Sequence, residues 1–214
     1  MRRILVLGLL AMLLTGCGGF WSNRLPYAGP VEIAIPKGDH LPGTGIQYLG
    51  KTEEGAQVSI GGKQTTKRVG DSLEWKEDMV SGVSVDQTLR VAAITDQSLQ
   101  TEGTVRVIVS QPRIQPESPN KDAFVHFKLP VGYHVRLNET IPGTTISYLG
   151  KTEDGAHLGN VEGAAYRKLG DSITWEAKLR RGIWLQLDLQ TVLITESLLD
   201  VVGTADLWIV PAGE

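Results

Sequence analysis

The chain has 214 residues, with 21 Lys and Arg against 24 Asp and Glu and a formal net charge of −3 at pH 7, which leaves room for one or two domains. Residues 31–110 hold eight basic and eleven acidic side chains and residues 123–210 hold eight and ten, so no basic stripe marks nucleic acid as a partner. A single cysteine, Cys17, excludes an internal disulfide framework and a cysteine-rich metal site.

The chain opens on Met1-Arg2-Arg3 and runs through the apolar stretch Ile4 to Leu14 into Leu14-Thr15-Gly16-Cys17. That stretch is too short to span a bilayer but suits the core of a signal peptide. Charge, apolar run, small residues and cysteine stand in the order that resembles the lipobox of bacterial lipoproteins. The resemblance covers residues 1–17. It implies removal of residues 1–16, acylation of Cys17 and a lipid bilayer as partner through the acylated thiol. It also implies a place at a bacterial cell membrane or outer membrane, facing periplasm or exterior. Gly18, where an Asp would signal retention in this family, leans towards the outer membrane. One acyl chain holds a protein marginally, at about 0.8 kcal/mol per buried methylene, whereas the two or three chains of this family would anchor it durably.

Residues 17–30 read as a lipidated tether, and two copies of one sequence follow. Leu41 to Val109 align without a gap to Ile141 to Ile209 at an offset of one hundred, with 23 of 69 positions identical. The longest block is Tyr48-Leu49-Gly50-Lys51-Thr52-Glu53 with Tyr148-Leu149-Gly150-Lys151-Thr152-Glu153, and Gly70-Asp71-Ser72 with Trp75 recurs as Gly170-Asp171-Ser172 with Trp175. Upstream, Pro36-Lys37-Gly38-Asp39-His40 matches Pro130-Val131-Gly132-Tyr133-His134 if copy two inserts Val135 to Thr140. A duplication accounts for this and predicts β modules over 31–110 and 123–211. Between them, residues 111–122 carry Pro112, Pro116 and Pro119 and read as an extended, semi-rigid spacer.

Alternation of apolar and polar residues in Ile173 to Leu179 and Ile183 to Leu189 is that of half-buried strands, and no helical period appears beyond the signal peptide. The fold class is therefore all-β, as two tandem antiparallel sandwiches or barrel-like modules. Pairing 83–94 with 99–109 so that opposite numbers sum to 192 sets Asp86 against Arg106, Thr88 against Thr104 and Arg90 against Glu102. Val83 and Val85 then face Val109 and Val107 on the other side. For the preceding hairpin, Met79 opposite Val83 places Lys76 opposite Asp86. In copy two the same register sets Trp184 against Trp208, with Lys178 beside Trp184, on the nominally outer face. An aromatic pair there calls for a cover, either packing against the other module, a long loop or a second sheet, or a sugar or peptide that stacks on it. Trp75 and Trp175 fall on the aliphatic face and read as core.

Gly70-Asp71-Ser72-Leu73 resembles the nucleophile block of Gly-Asp-Ser-Leu esterases and lipases. That family needs an Asp-x-x-His pair near its C-terminus, and no histidine follows Ser172, so a glycine-led turn accounts better for both copies. His40, His126, His134 and His157 show no zinc-ligand spacing, and no metal or cofactor is expected. The sequence predicts a non-enzymatic envelope lipoprotein that binds or scaffolds, with an envelope protein or glycan as partner. The alternatives are a serine hydrolase using Ser72 or Ser172, and a carrier of a small apolar ligand.

Overall fold

The structure, a computed structural model, describes residues 23–119, 123 and 125–210, so Cys17 and the lipobox lie outside the described residues. Every helix or strand assigned among them is a strand, and the protein is all-β. In chain order the strands are β1 (Arg24–Pro36), β2 (Ile46–Lys51), β3 (Ala56–Ile60), β4 (Lys63–Lys67), β5 (Ser72–Val80), β6 (Val83–Ile94), β7 (Ser98–Ser110) and β8 (Gln115–Pro116). They continue with β9 (Val125–Arg136), β10 (Ser147–Thr152), β11 (Gly155–Gly159), β12 (Tyr166–Arg167), β13 (Ser172–Arg180), β14 (Ile183–Ile194) and β15 (Leu198–Ile209). Four sheets result, in the orders β1-β7-β6-β5, β2-β3-β4, β8-β13-β14-β15-β9 and β10-β11-β12.

Two compact units emerge, and they do not follow the boundary between the copies. Of the described residues, the larger takes those within 23–131, 174–188 and 204–210, and the other takes Gly132–Ile173 and Leu189–Gly203. In the larger unit the expected register holds along β6 and β7, with Asp86↔Arg106, Thr88↔Thr104 and Arg90↔Glu102 paired up to a bulge between Val91 and Ala93. Lys76 does oppose Asp86, but Val80 rather than Met79 pairs with Val83, because a bulge falls between Asp78 and Val80. Ile35, Leu41, Ile46, Tyr48, Val58, Leu73, Leu89 and Leu99 fill one core cluster, drawn from both sheets of copy one and the loop after β1. Alternation put these side chains on one face, and the two faces exclude water from each other.

Strand β1 begins at Arg24 and pairs with β7 from Arg24↔Ser110 to Pro36↔Ser98. Residues 24–30, which read as tether, are thus sheet. Trp75 packs against this core, as its face predicts, but less deeply than Trp175. It is only half-buried, and its indole N–H donates to Glu77 Oε2 at 2.9 Å, whereas Trp175 is 8% exposed. β5 closes one edge of its sheet and carries Glu77 where copy two has the buried Ala177. A charge at such a position blunts an edge that would otherwise pair with another chain.

The hairpin turns of the two copies meet reciprocally in the larger unit. A side chain at Gly82 would collide with the Arg180 guanidinium, and one at Gly182 would stand 3.2 Å from Val80 Cγ1. Positions 80 and 180 are equivalent, as are 82 and 182, so the junction has the self-complementary form of a two-fold contact. Both glycines are left-handed, at φ 76° and 81°, and each carbonyl accepts from the end of its third strand, Gly82 from Ser110 N–H and Gly182 from Val210 N–H.

In the smaller unit, hydrogen bonds repeat those of copy one at the same offset. Asn138 N–H donates to Tyr148 O at 2.7 Å, as Gly38 N–H does to Tyr48 O. Leu137 N–H donates to Ser197 O and Tyr148 N–H to Glu139 O, matching Lys37 with Gln97 and Tyr48 with Asp39. The offset of one hundred therefore extends upstream without the insertion at 135–140, and the Pro-x-Gly-x-His match is a coincidence. The sequence hid this because copy two makes the turn with Asn138 at φ 66° where copy one uses Gly38, and Asn is a side chain that tolerates the left-handed region. Tyr48 and Tyr148 lie fully buried and donate to Thr95 O and Thr195 O. Burial, with Asp96 or Glu196 second, pushes both hydroxyls above their ordinary pKa.

Candidate functional site

Lys178, Trp184 and Trp208, singled out from the sequence, all fall in the larger unit, on the face of β13, β14 and β15 that alternates with the aliphatic one. The hydrogen bond from Val210 N–H to Gly182 O fixes the register that sets Trp184 beside Trp208. Neither ring is open: Trp184 is 9% exposed and Trp208 8%. The Lys178 ammonium sits 4.9 Å from the centroid of the Trp184 ring, a cation–π contact. Glu117 closes the arrangement. Its Oε1 accepts from Trp184 Nε1–H at 3.0 Å and from Lys178 Nζ at 3.2 Å. The indole N–H first, and the ammonium second, hold the Glu117 carboxyl below its ordinary value.

Glu117 reaches Trp184 because the two residues before it, Gln115 and Pro116, join the sheet. Pro116 pairs with Ala177 and Gln115 with Lys178, and Arg113 N–H donates to Leu179 O at 2.6 Å. The segment is extended, as its prolines predict, and it adds β8 to the edge of β13. Proline lacks an N–H and is tolerated at such an edge. Trp208 is covered on the same face by the neighbouring strand β9. The His126 ring of β9 stacks on it at 4.8 Å between centroids and 13° between planes. His126 Nε2 also lies 2.8 Å from Asp206 Oδ1, and Lys128 Nζ lies 3.2 Å from Asp206 Oδ2. Asp206 is 6% exposed, and a carboxylate so buried requires these partners.

Next to Lys178 an open cleft of about 480 Å³ is lined by Gln111, Arg113, Gln115, Lys178, Arg180 and Arg181. Arg180 is held in place by donating from Nη1 to Ser110 O and by packing on Gly82. Gln111 takes a left-handed backbone at φ 48°, uncommon for a residue with a Cβ, and its N–H donates to Asn23 O. Sequence reasoning missed Glu117, His126, Asp206 and this cleft. The gapless repeat offers a signal for His126, since Pro26↔Ile108 in copy one corresponds to His126 with Trp208. No periodicity announces a two-residue strand such as β8.

The Gly-Asp-Ser turns are built alike. Asp71 Oδ2 accepts from Arg68 N–H and Asp171 Oδ2 from Lys168 N–H, each at 2.7 Å. Gly70 N–H and Gly170 N–H reach Val91 O and Thr191 O. Ser72 and Ser172 open β5 and β13 with exposed side chains, and among the described residues neither hydroxyl contacts a histidine. The histidines stay apart in role: His134 Nδ1 lies 2.7 Å from Asp200 Oδ1, and His157 stacks on Tyr166. The described residues hold no group of three or more potential metal ligands. No helix among them is long and apolar enough to cross a membrane. No family model, curated protein or solved structure matches the chain.

Proposed function

We propose that the chain is a bacterial envelope lipoprotein, anchored through acylated Cys17, that works as a binding or scaffolding protein on two homologous β modules. An envelope protein or glycan is its partner. The observation that carries the reading is where the copies differ. They share turns, buried tyrosines and aliphatic cores, while copy two alone adds Lys178, Arg180, Arg181, Trp184 and Trp208 on and beside one sheet face of the larger unit. A cluster of cationic and aromatic side chains added to one face of a retained scaffold is how a binding protein acquires a ligand. The turn hydrogen bonds of Asp71 and Asp171 favour binding over serine hydrolysis. The charged lining of the open cleft favours it over transport of an apolar ligand.

The anchor is tested by cell fractionation after a high-salt wash, together with incorporation of labelled palmitate. Cys17→Ser should lose the label, leave residues 1–16 attached and release the protein from the membrane fraction. Retention of the unlabelled mutant by membranes would refute lipid anchoring.

A further inference from the structure

Charge in this chain is acidic overall, yet three arginines and a lysine converge on one cleft. Arg113, Lys178, Arg180 and Arg181 line it with Gln111 and Gln115, and none of the six is a carboxylate. The nearby acid, Glu117, is engaged by Lys178 and the Trp184 indole. Like charges brought together repel one another; Lys178 is offset by Glu117, and Arg180 donates to Ser110 O. Copy one builds the equivalent hairpin with Asp78, Val80 and Ser81 in place of Lys178, Arg180 and Arg181. The reciprocal junction at Gly82 and Gly182 is thus symmetric in backbone and asymmetric in charge.

Two further features mark the cleft as preorganised. Arg180 spends one N–H on Ser110 O and keeps the rest of its five donors, in a guanidinium pinned by Gly82. Arg113 is brought in by the segment that pairs with β13, and Gln111 reaches the cleft through a left-handed backbone. Guanidinium forks match the geometry of oxyanions, and the two amides supply further donors and acceptors.

We infer that this cleft is an anion-binding site for an oligoanion whose charge is carried by phosphate groups. Four cations with one neighbouring carboxylate leave about three positive charges to neutralise. A phosphate group brings up to about two charges and three acceptor oxygens, more than a carboxylate in the same space. The volume suits a small phosphorylated ligand or a cluster of headgroup phosphates. This deepens the binding reading given above and rests on it.

The test is calorimetric titration of the full-length protein in neutral detergent with two probes, sodium tripolyphosphate and water-soluble dihexanoyl phosphatidylglycerol, with dihexanoyl phosphatidylcholine as the neutral reference. Saturable binding that weakens as salt is raised is expected. Tripolyphosphate binding alone identifies a free oligophosphate, and phosphatidylglycerol binding without phosphatidylcholine binding identifies a lipid headgroup. Arg181→Ser, which installs the residue of copy one, and Arg113→Gln should each weaken binding about tenfold, the scale of one charge-assisted hydrogen bond. Lys63→Gln, outside the cleft, should leave it unchanged. Both arginines are exposed, so circular dichroism of the variants should match the parent. Absence of binding to either probe overturns the proposal, as does binding indifferent to Arg181→Ser and Arg113→Gln. That failure would leave the membrane anchoring of Cys17, read by fractionation, untouched.

Discussion

Replacing Trp184 by alanine removes a ring that is 9% exposed and held by Lys178 and Glu117. A tryptophan buries about 150–250 Å². At about 25 cal/mol per Å² that area is worth about 4–6 kcal/mol. Denatured chains already hide about 10–40% of it, which brings the expected loss to about 2–5 kcal/mol, overlapping the about 3–5 kcal/mol seen when large aromatic core residues are truncated. An open stacking platform would instead behave as a surface position and change stability by less than about 1 kcal/mol. Denaturant midpoints at unchanged slope, in the full chain, separate the two. Val69→Ala, at a position 64% exposed, is the reference for a surface change. Trp208→Ala should fall in the same range as Trp184→Ala, because His126 covers its ring. A loss under about 1 kcal/mol for both tryptophans would refute the packing argument and return the pair to the role of a ligand platform.

Gly182→Ala should destabilise by about 2 kcal/mol or more, from left-handed strain of about 1–2 kcal/mol and from a Cβ placed 2.7 Å from Val210 O and 3.2 Å from Val80 Cγ1. Gly170→Ala, at φ 86° with open space around it, carries the strain alone, so equal losses in the two variants would refute the packing part. Acid titration provides a third test. The Glu117 carboxyl is depressed below its ordinary value of 4.5, so what it contributes is present above that value and is lost as pH falls through the lower, folded one. Tryptophan fluorescence should therefore change in a step below pH 4.5, and Glu117→Gln should abolish that step; an identical titration in the variant would show that Trp184 does not sense Glu117.

Much of the local architecture was legible because strands report themselves by period. Val83, Val85, Val107 and Val109 alternate with charged and polar partners, and a slip of one residue would have mixed the faces. Duplication strengthened the reading, since the turns at Gly82 and Gly182 had to satisfy two sequences at once. Legibility failed where backbone geometry can be met by different residues. Asn138 does the work of Gly38, so the gapless repeat was cut short at a chance Pro-x-Gly-x-His match. It failed again at the bulge between Asp78 and Val80, since an extra residue in a strand alters no composition.

The site divides in the same way. Position on a strand was enough to place Lys178, Trp184 and Trp208 on one face, because side-chain direction follows sequence parity in a sheet. What covers that face was not in the local pattern. Glu117 follows directly on a two-residue strand, His126 stands on β9, far back in the chain from the Trp208 it stacks on, and Arg113 reaches Arg180 and Arg181 only once the proline-containing segment pairs with β13. The all-β class, the repeat and the alternation of faces can be read along the chain, since they depend on neighbours within a strand or on comparison of the two copies. The covering of the tryptophans and the gathering of dispersed cations into a cleft emerge on folding, since both follow from long-range pairing whose partners carry no mark of one another in the sequence.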